Sequence, residues 1–475
     1  MDTQGKAPDR TAILATAMVV VFILAYAAAA LGAPVRSSYG ARITADEPEY
    51  LLTAISLAED RSLDISDELA RERYRPFHEV RIKPQAKVLE GGRMVSPHDP
   101  LLPALLVPGA VAGGWLGAKM NLALYGALLA ALLLWTGVRR FGVPAGRAAV
   151  VVGLFSVSAP FAAYGSQIYP EVPAALAVAA AIACVTGPLG RRGLGGFIVS
   201  IVGLVWLGTK FIPVAAILSL LAFWRLYRTG RRLEIAVGAG VLAVAGVFYL
   251  VGHLRWYGSL TVYATGAHFA ETGEFSVMGV TPDFATRTSR LIGLLVDRRF
   301  GLAAWQPAWL VMIPALAWVI RRRPAGWEVL VLPLAAGWLG ATYLALTMHG
   351  WWWPGRQVVV VLPAAVLAIL AWAGSARRFG VTVALGAAGV FNLGWLFVQG
   401  WRRELTMIVD FYETTNPLYR GWSRLLPDYV ALTTGDWVLH AAWVAAAFVV
   451  AIGPGQWPGI QRLWRKVRRP RPPLR

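Results

Sequence analysis

A chain of 475 residues that is 57% hydrophobic and only 15% charged falls outside the composition of soluble domains, where about a quarter of residues carry charge. A mean hydropathy of +0.55 excludes an ordinary water-soluble fold. The formal net charge of +19 would suggest nucleic acid in a soluble chain, but the arginines fall between apolar blocks rather than on one face with interleaved aromatics, which argues against that partner.

Apolar blocks of about 17 to 25 residues recur from Thr11 to Gly453, long enough to cross a hydrocarbon core of about 30 Å as helices. The short N-terminal stretch carries Lys6 and Arg10 and is expected in the cytoplasm, with a first retained helix over 11–33. Residues 34–100 then form a first external loop. It opens with Thr44-Ala45-Asp46-Glu47-Pro48-Glu49-Tyr50, acids that gain nothing from lipid contact. It continues through a mixed-charge stretch whose Leu57, Leu63, Ile65 and Leu69 suit one or two helices resting on the membrane. The charges from 59 to 90 read as solvated surface.

The run 101–138 is long enough for two crossings, but two would place Arg139-Arg140 outside, so one is expected at 119–138, preceded by a juxtamembrane segment broken by Pro103, Pro108 and Gly113-Gly114. Helices at 147–164 and 171–187 make a hairpin around the turn from Tyr164 to Pro170. The run 194–224 holds one charge, Lys210, between two basic flanks, which predicts two short helices with Gly208-Thr209-Lys210 at the outer turn. Helices at 233–252, 301–320, 327–347, 357–374, 379–398 and 437–453 bring the total to about twelve crossings and satisfy the charge rule at every loop. External loops at 253–300 and 399–436 carry aromatics, and the tail 454–475 is basic, suited to a cytoplasmic end near anionic lipid. The fold class expected is an all-α polytopic membrane protein with both termini cytoplasmic. The lone cysteine, Cys184, lies in an apolar block, so neither an internal disulfide nor a thiolate metal site is indicated.

This topology collects Asp46, Glu47, Glu171, Lys210, Arg298, Arg299, His349 and Arg356 at the outer face. Basic residues there run against the positive-inside bias. Lys210, mid-way along an apolar run, is costly unless paired or wet, and a bound anion would offset that cost.

The order of elements resembles the GT-C superfamily of polyprenyl-phosphate-sugar-dependent glycosyltransferases, most closely the protein O-mannosyltransferase and lipid A aminoarabinose transferase branch. The residues that carry the likeness are Asp46-Glu47 after the first helix, Ser96-Pro97-His98-Asp99-Pro100-Leu101-Leu102-Pro103 leading into the second, and Tyr169-Pro170-Glu171-Val172-Pro173 opening the fourth. Where that family has Lys-Pro-Pro-Leu, His98 and Asp99 stand here. The resemblance implies a GT-C transmembrane catalytic domain over 1–453, an aspartate base in the first external loop, and juxtamembrane helices in that loop.

Transfer of a sugar from a polyprenyl phosphate to a hydroxyl needs a base for the proton and cations for the departing phosphate. Asp46 is the candidate base, with Glu47 as second candidate or as its orienting neighbour. One base without a nucleophilic partner carboxylate implies inversion at the anomeric carbon. Lys210 and Arg356 are the candidates for the phosphate, Arg299 the third. His98, Asp99, Tyr169, Glu171, His349 and Trp352 are candidates for contact with donor or acceptor.

Structural readings stand beside these. Asp46 and Glu47 also suit a helix cap before Pro48, Glu171 a first helical turn, Lys210 snorkelling to the interface, and Trp351-Trp352-Trp353 an aromatic belt. Without a DxD or His cluster, neither metal nor other cofactor is expected. The implied partners are a polyprenyl-phosphate-linked sugar, a glycan, lipid or protein acceptor, and the bilayer. Residue usage suggests a GC-rich bacterium, hence its plasma membrane with the site facing outward. The alternative is a transporter or flippase of a lipid-linked anion. Against it, no repeat relates the two halves and the retained charges lie at one face.

Overall fold

The computed structural model describes residues 10–262, 283–345 and 347–453. Lys6, residues 263–282 of the expected loop 253–300, and the basic tail 454–475 lie outside the described residues.

Helix α1 (Arg10–Gly32) is apolar. Its Leu14, Val21, Ala25 and Ala29 are buried while Val19, Val20, Ile23 and Leu24 stay exposed, the division of a helix with one face on protein and one on lipid. The chain then turns into α2 (Glu47–Glu59), which starts with Pro48 in the first turn, where no N–H is needed. Tyr50, Leu51, Leu52 and Ala54 of α2 are buried. The short α3 (Ser66–Ala70) and a ribbon of β1 (Lys87–Val88) against antiparallel β2 (Met94–Val95) complete the loop.

Helix α4 runs from Leu101 to Phe141, and 41 residues of unbroken helix would extend about 60 Å, twice a bilayer core. The break falls at Gly113 (φ −157°) and Gly114 (φ 58°, ψ −140°), the latter a conformation that glycine adopts without a Cβ penalty. The two arms fold against each other. Gly109 and Gly117 meet so closely that a Cβ on either would strike the other's carbonyl, and Asn121 Nδ2 donates to Leu105 O across the bend at 2.7 Å.

Then follow α5 (Ala145–Ser156), α6 (Phe161–Tyr164), α7 (Glu171–Val185), α8 (Arg191–Leu207), α9 (Ile212–Arg228) and α10 (Arg232–Tyr257). After the undescribed stretch come α11 (Phe284–Arg287), α12 (Arg290–Val296), α13 (Leu302–Trp305), α14 (Met312–Arg322) and α15 (Trp327–Leu339), the last continued by a π turn at Gly340–Leu344. A 3-10 turn, Arg356–Val361, leads into α16 (Leu362–Trp372), followed by α17 (Ala376–Trp401), α18 (Pro417–Ser423) and α19 (Thr434–Ile452).

Among the described residues, seven helical stretches are long and apolar enough to cross a membrane: Thr11–Gly32, Leu101–Phe141, Thr209–Arg228, Arg232–Tyr257, Trp327–Leu344, Ala376–Trp401 and Thr434–Ile452. The other expected crossings are helical but short or interrupted. The segment 145–164 breaks before Pro160, 302–322 passes through a 3-10 turn at Pro307–Val311, α8 has 17 residues, and α7 has 15, about 22 Å of helix. Burial explains the difference. α7 and α16 are apolar all round and enclosed by other helices, Val172, Ala175 and Val178 on one and Leu362 to Ile369 on the other being inaccessible. A helix shielded by protein need not meet the length and continuity that lipid demands.

The two ends of this bundle differ. At one end the arginine-bearing turns are tied together: Arg140 Nε donates to Ala183 O at 3.2 Å, Arg147 to Gly374 O, Arg231 Nη1 to Leu189 O at 2.8 Å, and Arg321 Nη1 to Ile452 O at 3.1 Å. Helix α7 ends among these turns and begins, at Glu171, in the site described next.

Candidate active site

The left-handed backbone of Ala45 (φ 54°) sets Asp46 at the head of α2. The Asp46 side chain makes no cap bond to the helix, which removes the capping reading. Its Oδ2 instead accepts from Arg356 Nη2 at 2.7 Å. Arg356 follows Gly355 (φ 83°) at the start of the 3-10 turn. Its guanidinium is held between two ring faces, Tyr169 at 4.0 Å and Trp352 at 4.9 Å, and its Nε donates to Glu171 Oε1 at 3.2 Å. The same oxygen accepts from Lys210 Nζ at 2.6 Å. Asp46, Arg356, Glu171 and Lys210 thus form one alternating chain of two carboxylates and two cations. The pairing answers the problem of a lysine in an apolar run: Lys210 sits at the turn between α8 and α9 and is neutralised by the first residue of α7.

His98 packs its ring on Tyr50 at 4.2 Å and places Nε2 4.0 Å from Asp46 Oδ2. Beside it, Asp99 is committed to structure. Its Oδ1 accepts from Tyr249 Oη at 2.6 Å and pairs with His253 Nε2 at 3.1 Å, while its Oδ2 accepts from the Thr209 amide at 3.3 Å. Asp99 therefore fastens the loop before α4 to α10 and to the turn that carries Lys210.

These groups open on a cavity of about 780 Å³ whose polar wall holds Asp46, His98, Lys210, Trp352 and Arg356. Its other wall is apolar, built from Leu207 and Val214 of the α8–α9 hairpin and from Ala336, Ala341 and Leu344 along α15. Burial alone would push the Asp46 carboxyl up, but the Arg356 guanidinium, with His98 and Lys210 behind it, holds it at about 2. Burial lowers the His98 imidazole against the pull of Asp46. Glu49, buried one turn along α2 and bonded only through Oε1 to the Gln85 amide at 2.9 Å, is pushed by burial up to about 8.

No protein-family model matches the chain, and no curated protein matches it by sequence. Solved structures do. ArnT from Cupriavidus metallidurans in the apo state superposes with a TM-score of 0.50 at 18% identity, over 92% of this chain and 73% of that one. The same protein bound to undecaprenyl phosphate gives 0.47 at 16% identity, over 93% and 72%. The archaeal oligosaccharyltransferase AglB from Archaeoglobus fulgidus, in complex with an inhibitory peptide and a dolichol-phosphate, gives 0.42 at 13% identity, over 96% and 60%. The chain shares the fold of ArnT.

Within this fold the remaining candidates take separate places. Glu47 does not line the cavity. It is fully buried, with Oε1 accepting from the Thr44 amide at 3.3 Å and Oε2 from the Ile168 amide at 2.8 Å, so it staples the acidic loop to the turn before α7. Glu171 is likewise inaccessible and acts on the two cations rather than on the space beyond them. His349 lines the cavity and pairs with Asp297 Oδ2 at 3.2 Å. Arg299 is not brought to Lys210 and Arg356: it pairs with Asp428 at 2.8 Å, beneath the Tyr412 ring at 4.8 Å. The three tryptophans divide, with Trp351 61% exposed at the rim, Trp352 on Arg356, and Trp353 in the core against Trp305 and Phe411.

Three residues that sequence reasoning passed over prove structural to the site. Lys119, buried in α4, donates to Ala33 O at 3.3 Å and Arg42 O at 3.0 Å and so fixes the path from α1 to Asp46. Its signal was present, a lone lysine in an apolar run as for Lys210. Asp297 accepts from the Arg299 and Phe300 amides at 2.7 and 2.6 Å and orients His349. His253 orients Asp99, and nothing local in the sequence marks a partner 154 positions away.

Proposed function

We propose that the protein is an inverting glycosyltransferase that moves a sugar from a polyprenyl-phosphate donor to a hydroxyl of a cell-envelope acceptor. On this reading it resides in a bacterial plasma membrane, with the site on the external face and both termini in the cytoplasm. The observation that carries the reading is the ion-pair chain Asp46–Arg356–Glu171–Lys210 at the edge of one cavity with an apolar limb. A base and two phosphate-binding cations then stand within one headgroup's reach, and the apolar wall is suited to a lipid tail. The fold supports it too, since ArnT and AglB have been solved with undecaprenyl phosphate and dolichol-phosphate.

The residues divide the work as follows. Lys210 and the planar fork of Arg356 hold the donor phosphate, with charge-assisted bonds that strengthen as the leaving group gains charge. Glu171 keeps both cations in register. Asp46 accepts the acceptor's proton while the hydroxyl oxygen bonds the anomeric carbon from the face opposite the phosphate. The bond to the phosphate oxygen breaks, and polyprenyl phosphate leaves with the electron pair. A carboxylate tied to Arg356 is a weak base, and a phosphate entering beside Arg356 competes for that guanidinium. Donor binding thereby frees Asp46 and raises its basicity before the acceptor arrives. His98, Trp352 and His349 shape the space for sugar and acceptor, while Tyr169, inaccessible and outside the cavity lining, backs the Arg356 guanidinium. No cofactor is assigned to the transfer.

The test is to incubate the purified protein with a panel of polyprenyl-phosphate sugars and simple hydroxyl acceptors. Asp46→Asn is expected to reduce transfer about 10²- to 10⁴-fold while retaining donor binding. Transfer at the wild-type rate in that variant would remove Asp46 as base. Movement of donor across vesicles with no transfer to any acceptor would favour the flippase reading.

A further inference from the structure

We propose that the turn joining α2 to α3 is a calcium site, held by Asp60, Asp67 and Glu68. It lies at the end of α2 opposite Asp46 and is independent of the glycosyl-transfer reading. The ligand oxygens of the three carboxylates lie within 4.8 Å of one another, no farther apart than two oxygens on opposite sides of a calcium ion at about 2.4 Å.

A second observation points to a ligand. Glu68 is 2% exposed, and its Oε2 has no hydrogen-bond partner among the described residues. A buried carboxylate oxygen without a basic partner is destabilising: the group within hydrogen-bond reach of the Glu68 carboxyl is the Asp67 carboxyl, so the pair must share a proton or a cation. Arg73 is committed to Glu59 through bonds of 2.9 and 2.6 Å. Arg71 reaches only Asp67 Oδ2, at 3.5 Å, on the solvent side.

The cluster is held by its backbone rather than by a cation. Arg61 adopts a left-handed φ of 54°. Ser56 Oγ donates to Asp64 O at 2.6 Å and Ser62 O at 3.1 Å. Asp64 Oδ1 accepts from the Ser66 and Met94 amides at 3.0 and 2.8 Å. Asp60 and Asp67 are thereby brought toward Glu68 although one end of each acid's segment is free to solvent. An all-oxygen set with no imidazole or thiolate selects a hard cation, and calcium accepts an irregular carboxylate set where magnesium demands near-ideal octahedral geometry. Bound there, the ion ties the last turn of α2 to α3 and fixes the helix that carries Asp46 at its other end.

The full-length protein, reconstituted in phosphatidylcholine nanodiscs and stripped with chelator, is titrated with CaCl₂ in a calorimeter. One saturable site is expected, in the range of about 10⁻⁴ to 10⁻³ M shown by extracellular calcium modules. Glu68→Gln and Asp67→Asn are expected to abolish it, and Asp60→Asn, an exposed position whose change leaves the fold intact, to weaken it at least about tenfold. Asp46→Asn is expected to leave it unchanged. Absence of saturable binding to the wild type, retention in all three loop variants, loss in Asp46→Asn, or equal affinity for MgCl₂ would each overturn the assignment.

Discussion

Asp46 and Glu49 lie within one turn of each other and titrate in opposite directions, because one has a cation and the other has only burial. The Asp46 carboxyl, at about 2 against an ordinary 3.8, contributes stability that is present above about pH 4 and lost as pH falls toward 2, worth at most about 2 kcal/mol. Glu49, at about 8 against an ordinary 4.5, behaves the other way. Its protonated form fits the fold, so its contribution is fully present below about pH 4.5 and is lost as pH rises through 8. Glu49→Gln keeps an acceptor for the Gln85 amide and removes the ionisation. Thermal midpoints of variant and wild type should agree at pH 5, and the variant should be more stable by a few kcal/mol at pH 9. A gap that does not widen with pH would show that Glu49 is hydrated. At this scale the sequence was partly legible. Asp46, Lys210 and Arg356 could be singled out because charge at an apolar boundary is costly unless paired, although a cap and snorkelling were rival readings until the pairing itself was in view. That Glu47 staples and Glu171 clamps could not be found, since the three neighbouring acids Asp46, Glu47 and Glu49 look alike until the amides they accept from are known, and Glu171 until its two cations are.

Among the elements, α4 shows where local chemistry speaks and where it misleads. Pro103, Pro108 and Gly113-Gly114 all read as breakers, yet only the glycines leave helical geometry. Pro103 lies in the first turn, where its missing N–H has no partner to lose. The consequence of the break, two arms in backbone contact at Gly109 and Gly117, rests on the absence of two side chains. Gly117→Ala should therefore force the arms apart at a cost of about 1–3 kcal/mol, and with them Lys119, which anchors the path to Asp46. Gly113→Ala is the matched control, since a Cβ there meets nothing. Equal midpoints for the two variants in the same detergent would show that the arms are not packed as described. The hairpin of α8 and α9 was legible for a different reason, because basic flanks on both sides of one apolar run left no other path for the chain.

For the molecule as a whole, charge placement was the most legible feature and helix length the least. The arginine turns predicted to share one side do converge through their bonds to Ala183 O, Leu189 O, Gly374 O and Ile452 O, while Asp46, Lys210 and Arg356 meet at the other end of α7. Length failed because it reports on lipid contact, and the central helices have little. α7, at about 22 Å, is shorter than a slab of about 30 Å, and the cavity lies at its Glu171 end, where Pro170 lines it. Sidedness then becomes a sharp test. In a Cys184→Ser background, Gln85→Cys on the cavity wall and Gly190→Cys, where a side chain meets nothing, should label from opposite faces. In intact cells a membrane-impermeant maleimide is expected to modify Gln85→Cys and to reach Gly190→Cys only after permeabilisation. The reverse pattern would put the cavity in the cytoplasm, where the positive-inside bias would no longer set Lys210 and Arg356 apart from other cations, and the case for a phosphate ligand would lose its sequence support. Labelling of both from one side would mean that α7 does not carry the chain from one membrane face to the other.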